Sequence, residues 1–232
     1  MKVIGIAGSS RKDSNSERLL RMALDILAQE GMEVELITLY DKKINPCIYD
    51  ACKAACARRF TGPEVGWGHF ECIQKDDAVE IFKKLREADG IIIASPVYFS
   101  GVPGKLRALL ERVGMMAEAR EGYKFVAEKL GLKMPPIPTD EKKLEDWKYG
   151  PLRRKVAAAI VTTRRTGANF VLAELTLWFI ILNMIVVGSV YWPVAIGGAL
   201  ASRDIEKDEE GVHTIKVLAQ NMAWLLKKIK EK

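Results

Sequence analysis

The sequence predicts an α/β protein with a doubly wound, five-stranded parallel sheet in the order 2-1-3-4-5. Three short runs are apolar apart from Lys2, as expected of strands that are buried on both faces of a parallel sheet: residues 2–7, 91–94 and 156–161. Segments with helical spacing of apolar residues separate these runs. This alternation favours a right-handed, doubly wound sheet, and the connectivity fits the order 2-1-3-4-5 but leaves other strand orders open.

The first two strands frame one helix. Residues 2–7 (KVIGIA) end at Gly8, and residues 33–39 (EVELITL) alternate in polarity as a second strand. Ser14 and Glu17 have the spacing of a capping box, in which Ser14 accepts from the third helical N–H and Glu17 reaches back. The apolar face of the helix that follows is formed by Leu20, Ala23, Leu24 and Leu27.

The later elements continue the alternation. Asp76 and Asp77 are typical N-terminal residues of a helix, which ends at Gly90 ahead of the third strand. Pro103 suits the first turn of the next helix. Beyond it the sequence predicts a fourth strand, a helix, a fifth strand and a closing helix at residues 156–161, 169–182, 184–187 and 212–230.

Residues 170–200 are long and apolar, with Glu174 as their one ionisable side chain, so a membrane span is an alternative. Asn183, Gly188 and Pro193 interrupt the segment, and β-branched residues are concentrated at 185–187. These features favour a buried helix followed by a buried strand. We therefore expect no membrane partner, and the lack of an N-terminal signal segment predicts a cytoplasmic protein.

Length and charge indicate one domain that spans residues 1–232. The formal net charge is +6, and residues 120–155 hold ten Lys or Arg against six Asp or Glu. No nucleic-acid motif accompanies these charges, so we interpret them as a solvated basic surface and expect no nucleic-acid partner. We interpret residues 119–154 as an insertion with a short helix at 123–130, and residues 40–75 as a cysteine-bearing connection.

Hydroxyl, amide and guanidinium groups crowd the turn after the first strand, GSSRKDSNS (residues 8–16). The turn matches neither G-x-G-x-x-G nor the P-loop pattern. A helix N-terminus attracts a phosphate, whose oxygens can be bonded by Ser14, Asn15, Ser16 and Arg11. Helix capping is the alternative, but it accounts for only one of these residues. The loop therefore predicts a phosphomonoester site.

A second loop, SPVYFSGVPGKLRALLER (residues 95–112), follows the third strand. The carboxyl ends of the first and third strands flank the switch point of the predicted sheet, where ligands bind. A loop stiffened by proline, with Tyr98 and Phe99 adjacent, suits a flat ring system whose polar edge bonds backbone groups. The two motifs are therefore expected to converge on one crevice.

The two loops together resemble the phosphate and isoalloxazine loops of the NADPH-dependent FMN reductase family, whose members are flavodoxin-like. The resemblance covers nearly the whole chain except residues 57–71 and 119–154. It implies bound FMN, and a looser match at residues 163–167 implies a third loop that edges the flavin ring. The FMN-binding residues implied by the resemblance are Ser9, Arg11, Ser14, Asn15, Ser16, Pro96, Val97, Tyr98, Phe99, Thr163, Arg164 and Gly167.

The family resemblance also implies a homodimer or homotetramer, because members of the family complete the flavin site at subunit interfaces. Four aromatic residues are candidates for this interface, although core packing explains them as readily: Trp178, Phe179, Tyr191 and Trp192.

All four cysteines lie in the connection after the second strand, with the spacing C-x4-C-x3-C-x15-C: Cys47, Cys52, Cys56 and Cys72. The iron-sulfur flavoproteins have a compact four-cysteine motif in this connection, and this resemblance implies a [4Fe-4S] cluster. Residues 57–71 stretch the motif. Zinc with His69, two disulfides and four unrelated thiols are the alternatives.

The resemblance implies an FMN-dependent oxidoreductase that passes electrons between a cluster, FMN and a small-molecule or protein acceptor. No catalytic side chain is expected, because the chemistry occurs at the flavin. One alternative is an NAD(P)H-dependent FMN or quinone reductase without a cluster. The other is a flavodoxin-like electron carrier with no substrate of its own.

Overall fold

The computed structural model describes residues 1–48, 72–119, 121, 128–129, 137–199 and 202–231. The strands are β1 (Lys2–Ala7), β2 (Glu33–Thr38), β3 (Gly90–Pro96), β4 (Val156–Thr163), β5 (Ile185–Val186) and β6 (Val194–Ile196). The helices are α1 (Asn15–Gln29), α2 (Asp77–Glu87), α3 (Gly104–Ala117), α4 (Glu141–Tyr149), α5 (Ala168–Ile181) and α6 (Glu209–Lys230). A 3-10 turn at Ile205–Lys207 precedes α6.

The strands form a parallel sheet in the order β2-β1-β3-β4-β5, which confirms the predicted α/β fold and strand order. β5 pairs with the first residues of β4, where Ile185 lies opposite Val156. β6 pairs with the last residues of β4, where Ala195 lies opposite Thr162. Two short strands thus share one edge of the sheet. The sequence analysis missed β6, because its three residues give too little pattern to recognise.

Helices cover both faces of the sheet. Ile91 and Ile93 pack with the buried residues of α2, α3 and α5, whereas Ile92 and Ala94 pack with those of α1 and α6. Successive side chains of a strand point to opposite faces, so a strand covered on both sides must be apolar at every position. This accounts for the uninterrupted apolar runs in the sequence.

The apolar segment after β4 is less buried than predicted. α5 buries one face through Val171, Leu175 and Phe179, but it leaves Phe170 and Ile181 69% and 78% exposed. Both residues of β5 are exposed, because this short strand lies at the edge of the sheet. The prediction of a buried helix and a buried strand is therefore wrong for the outer face of α5 and for β5. Among the described residues, no helix is long and apolar enough to span a bilayer.

Part of the predicted insertion packs against the rest of the chain. α4, which the sequence analysis missed, buries Trp147, and its Asp146 pairs with Arg86 of α2 at 3.2 Å. Asp140 caps this helix by accepting from the N–H of Lys143 at 2.9 Å. Most of the predicted helix at residues 123–130 lies outside the described residues.

Candidate functional site

Four loops meet at the carboxyl edge of the sheet, after β1, β3, β4 and β6. Three backbone hydrogen bonds join these segments, each from an N–H to a carbonyl: Gly8 to Ala94 at 2.8 Å, Val97 to Thr162 at 3.0 Å, and Gly197 to Thr163 at 3.0 Å. The bonds continue the sheet's lateral pairing beyond the named strands. The loops consequently have fixed positions relative to one another.

The first loop is ordered by its own polar side chains. Ser14 caps α1 by accepting from the N–H of Glu17 at 3.3 Å, and its Oγ lies 3.1 Å from that of Ser16. Ser9 Oγ accepts from the N–H of Arg11 at 3.1 Å. Glu17 reaches back to the N–H of Asp13, one residue before the predicted Ser14. The loop thus presents hydroxyl groups and the N-terminus of α1 to the same space.

The four loops enclose a crevice of about 120 Å³. Its lining includes three arginines and, among the residues that the structure describes, no carboxylate, so its charge favours an anion. The predicted residues that line it are Ser9, Arg11, Ser14, Asn15, Ser16, Pro96, Val97, Tyr98, Thr163 and Arg164. The lining residues that the sequence analysis missed are Thr162, Gly197, Gly198, Ser202 and Arg203.

The missed residues come mainly from the loop after β6. Asn15 Nδ2 donates to the carbonyl of Ser202 at 3.3 Å, which brings this loop against the first one. Asn15 Oδ1 is buried and has no hydrogen-bond partner among the described residues, so it is available to a donor on a ligand. The signal that could have revealed this loop is a Gly197-Gly198 pair directly after a short apolar run, followed by a serine and an arginine.

Charged side chains beside the crevice hold the first loop in place. Arg18 donates to Asp13 at 2.8 Å and to Glu206 at 3.0 Å, and Arg203 donates to the carbonyl of Lys12 at 3.4 Å. The hydrogen bond from Arg18 lowers the pKa of Asp13, so the carboxylate stays ionised as the pH falls into the acidic range. The segment ahead of α6 is therefore tied to the first loop.

The second loop contains backbone strain. Phe99 and Ser100 both adopt left-handed conformations, with φ of 50° and 60°, in a turn that the N–H of Tyr98 closes on the carbonyl of Gly101 at 2.9 Å. Such conformations cost about 1–3 kcal/mol each for residues other than glycine and cluster at functional sites. Tyr98 lines the crevice, whereas Phe99 lies outside the lining and is fully exposed.

Gly167 joins the second and third loops without lining the crevice. Its φ is +88°, and a Cβ there would lie 3.0 Å from both Val97 and Ser100. Two features therefore require glycine at this position: the left-handed backbone and the close approach of Val97 and Ser100. The role of Gly167 beside a flavin stays a prediction. Gly167 packs against Val97, which lines the crevice.

The cysteine-bearing connection has its two described ends joined by hydrogen bonds. Gln74 Nε2 donates to the carbonyl of Pro46 at 3.0 Å. Pro46 directly precedes Cys47 in the sequence, and Gln74 follows Cys72 by two residues. Asp76 accepts from the N–H of Asn45 at 2.9 Å. Cys47 and Cys72 are both partly buried.

The remaining candidate ligands, Cys52, Cys56 and His69, lie outside the described residues. Within the described ranges, no group of three or more His, Cys, Asp or Glu side chains is arranged to hold a metal ion. Cys47 and Cys72, at the two ends of the cysteine motif, are thus its only members among the described residues.

The sheet order, with an anion-favouring crevice at the switch point, defines a flavodoxin-like α/β protein. A family model described as NADPH-dependent FMN reductase matches residues 1–199. The chain belongs to this family, and it is accordingly an FMN-dependent oxidoreductase.

The chain is similar along its full length to proteins named iron-sulfur flavoprotein. One from Methanocaldococcus jannaschii is 35% identical over 237 residues, covering 100% of both chains. Another, from Methanosarcina thermophila, is 28% identical over 233 residues, covering 100% of this chain and 98% of the relative. The structure of RosB, which holds a riboflavin-5′-phosphate derivative, matches with a TM-score of 0.65 at 20% identity. That match covers 100% of this chain and 81% of RosB, and it shows a shared fold.

We expect Gly167→Ala to lower the free energy of unfolding by about 1–2 kcal/mol, the cost of left-handed backbone at a residue with a Cβ. Gly188→Ala is the matched control, because nothing lies within 4 Å of its added Cβ. It should change the free energy by less than about 0.5 kcal/mol. Urea denaturation of both variants makes the comparison, and equal losses of stability would contradict the prediction.

Proposed function

We propose that the protein binds FMN in the crevice, carries a [4Fe-4S] cluster on its cysteine-bearing connection, and passes electrons between these groups and a small-molecule or protein acceptor. The observation that carries the proposal is the convergence of loops distant in sequence on a crevice that contains hydroxyls and arginines but, among the described residues, no carboxylate. The full-length similarity to proteins named iron-sulfur flavoprotein supports the cluster.

The residues present fit FMN. Its phosphate would lie at the N-terminus of α1, bonded by Ser9, Ser14, Ser16 and Arg11, where the helix dipole and backbone N–H groups favour an anion. The buried Oδ1 of Asn15 would accept from a ribityl hydroxyl. When bound, FMN supplies the redox chemistry, while the chain orients it and provides the surrounding charge.

The crevice encloses less space than a whole ligand of this size requires. Ligand pockets usually measure about 300–1,000 Å³, against about 120 Å³ here. The phosphate end therefore fits inside, and the flavin ring would extend past Pro96, Val97 and Tyr98 to the open side. This geometry agrees with the family's use of a second subunit to complete the site.

The two described cysteines fit a shared cluster. From the sequence alone, residues 57–71 leave open whether Cys72 returns to Cys47. The hydrogen bond between Gln74 and Pro46 supports that return, because it joins the side chain of Gln74, two residues after Cys72, to the backbone beside Cys47. Cysteine thiolates are the ligands that hold a [4Fe-4S] cluster.

Exposed apolar side chains support a homodimer or homotetramer. Phe179 is fully buried, so core packing explains it, whereas Tyr191 and Trp192 are 61% and 54% exposed. The other large exposed side chains of α5 and of residues 187–199 are Phe170, Leu177, Ile180, Ile181, Val190 and Ile196. Apolar surface of this kind marks interaction sites.

We expect the purified protein to release FMN and not FAD, because the chain has one phosphate loop and no dinucleotide fingerprint. Arg11→Ala should weaken FMN binding by about 1.5–3 kcal/mol, the value of a hydrogen bond to a charged group. Lys12→Ala removes a positive charge from the next residue, which does not line the crevice. This substitution should weaken FMN binding by less than about 0.5 kcal/mol. Mass spectrometry identifies the flavin and fluorescence titration gives the affinities. Equal losses in the two variants would remove Arg11 from the site.

We expect anaerobically purified protein to contain iron and acid-labile sulfide, and Cys72→Ser to lose both while it keeps FMN. A serine in place of one thiolate removes a cluster ligand but leaves the crevice intact. Ile73→Ala, at an exposed neighbour, is the control and should retain the iron. Wild-type protein with stoichiometric FMN but almost no iron or sulfide would instead support the NAD(P)H-dependent FMN or quinone reductase without a cluster.

We expect light scattering at micromolar concentration to give two or four times the monomer mass of 25.9 kDa. Ile181→Glu should shift the protein towards monomer, because a carboxylate would replace an apolar group that the interface buries. Ile229→Glu makes the same change on α6 and should leave the mass unaltered. A monomeric wild-type protein would count against the proposed oligomer, and also against the proposal that a second subunit completes the flavin site.

A further inference from the structure

Arg112, on α3, is a buried cation beside the two described ends of the cysteine-bearing connection. Its side chain is 1% exposed, and the Asp76 side chain that it pairs with is fully buried. The two terminal nitrogens donate to the two carboxylate oxygens of Asp76 at 2.9 and 3.0 Å. The same nitrogens reach the carbonyls of Asn45 at 3.1 Å and Gln74 at 3.5 Å. One guanidinium therefore contacts both ends of the connection.

Stability alone explains this arrangement poorly. Removing two charges from water costs several kcal/mol per ion, and a buried ion pair often stabilises a fold no better than apolar side chains of similar volume. Arg112 also leaves its Nε buried with no hydrogen-bond partner among the described residues. A buried donor without a partner destabilises the folded state. A functional role of the charge accounts for the arrangement better than stability does.

Cys72 lies two residues before Gln74, whose carbonyl accepts from the guanidinium of Arg112 at 3.5 Å. The positive charge is therefore held next to the segment that carries the Cys72 thiol. An Arg side chain near a ligand sulfur can stabilise negative charge on that sulfur.

We propose that Arg112 is a positioning residue for the cluster, which holds the ends of the connection together and places a positive charge beside the sulfur of Cys72. The inference rests on the proposed function. Hydrogen bonds and charge at ligand sulfurs help to set the reduction potential of an iron-sulfur cluster. Because reduction adds negative charge, Arg112 raises the potential of the cluster, and Asp76 lowers it.

The test uses two substitutions of opposite sign in the whole protein. Arg112→Gln removes the positive charge, and Asp76→Asn removes the negative charge while keeping the shape of the side chain. The matched control is Arg86→Gln, which breaks a similar ion pair with Asp146. Arg86 lies about 15 Å from Asp76 along α2. This separation exceeds the distance of about 10 Å beyond which salt largely screens the interaction between charges. Iron content, thermal unfolding and the midpoint potential of the cluster are measured for each.

We expect Arg112→Gln to make reduction about tenfold less favourable, which lowers the midpoint potential by about 59 mV, and Asp76→Asn to raise it. A purely structural role would not shift the two potentials in opposite directions. Arg112→Lys, which keeps the charge but loses the fork, replaces Arg112→Gln if that variant does not fold, and should lower the potential by a smaller amount.

Folded, iron-loaded variants with the wild-type potential, or with shifts in one direction, would overturn the role of Arg112 and leave the proposed function intact. An iron-free wild-type protein would overturn both. Iron content of the wild type therefore separates failure of the proposed function from failure of this inference.

Discussion

Parallel strand pairing is the constraint on which the site depends. Every strand of a parallel sheet ends at the same edge, so the loops after β1, β3, β4 and β6 must meet there. The lateral hydrogen bonds from Gly8 to Ala94 and from Val97 to Thr162 then fix the spacing of these loops. Backbone geometry, set by apolar strands far from the crevice, thus determines where the polar side chains lie.

The cysteine-bearing connection depends on a different interaction, the buried pair of Arg112 and Asp76. Asp76 also caps α2 by accepting from the N–H of Ala78 at 3.2 Å, so one carboxylate starts a helix, pairs with α3 and holds the incoming chain at Asn45. Burial alone would raise the pKa of Asp76, but the hydrogen bonds from Arg112 and from the backbone N–H groups of Asn45 and Ala78 lower it overall. This carboxylate therefore stays ionised at neutral pH and keeps the ends of the connection together.

The sequence predicts well those features that come from local pattern. Apolar strands that alternate with helices predict the doubly wound sheet, and the Ser14 cap marks the start of α1, because strand burial and helix capping leave short, regular signals. β6 and its loop escaped prediction, since three strand residues hold no clear period and Ser202 approaches Asn15 only through the fold. The ion pair of Arg112 was likewise invisible, because an arginine within an amphipathic helix normally points to solvent.

The exposed outer face of α5 and the small crevice are both features that a second subunit would complete. α5 covers the sheet beside β4 with one face, and its apolar outer face has no partner among the described residues. The strained turn at Phe99 and Ser100 projects a fully exposed aromatic ring from the same edge that carries the open side of the crevice. Strain and exposed apolar surface both oppose folding of an isolated chain. A second subunit that covered these surfaces would offset both costs and close the flavin site in one step.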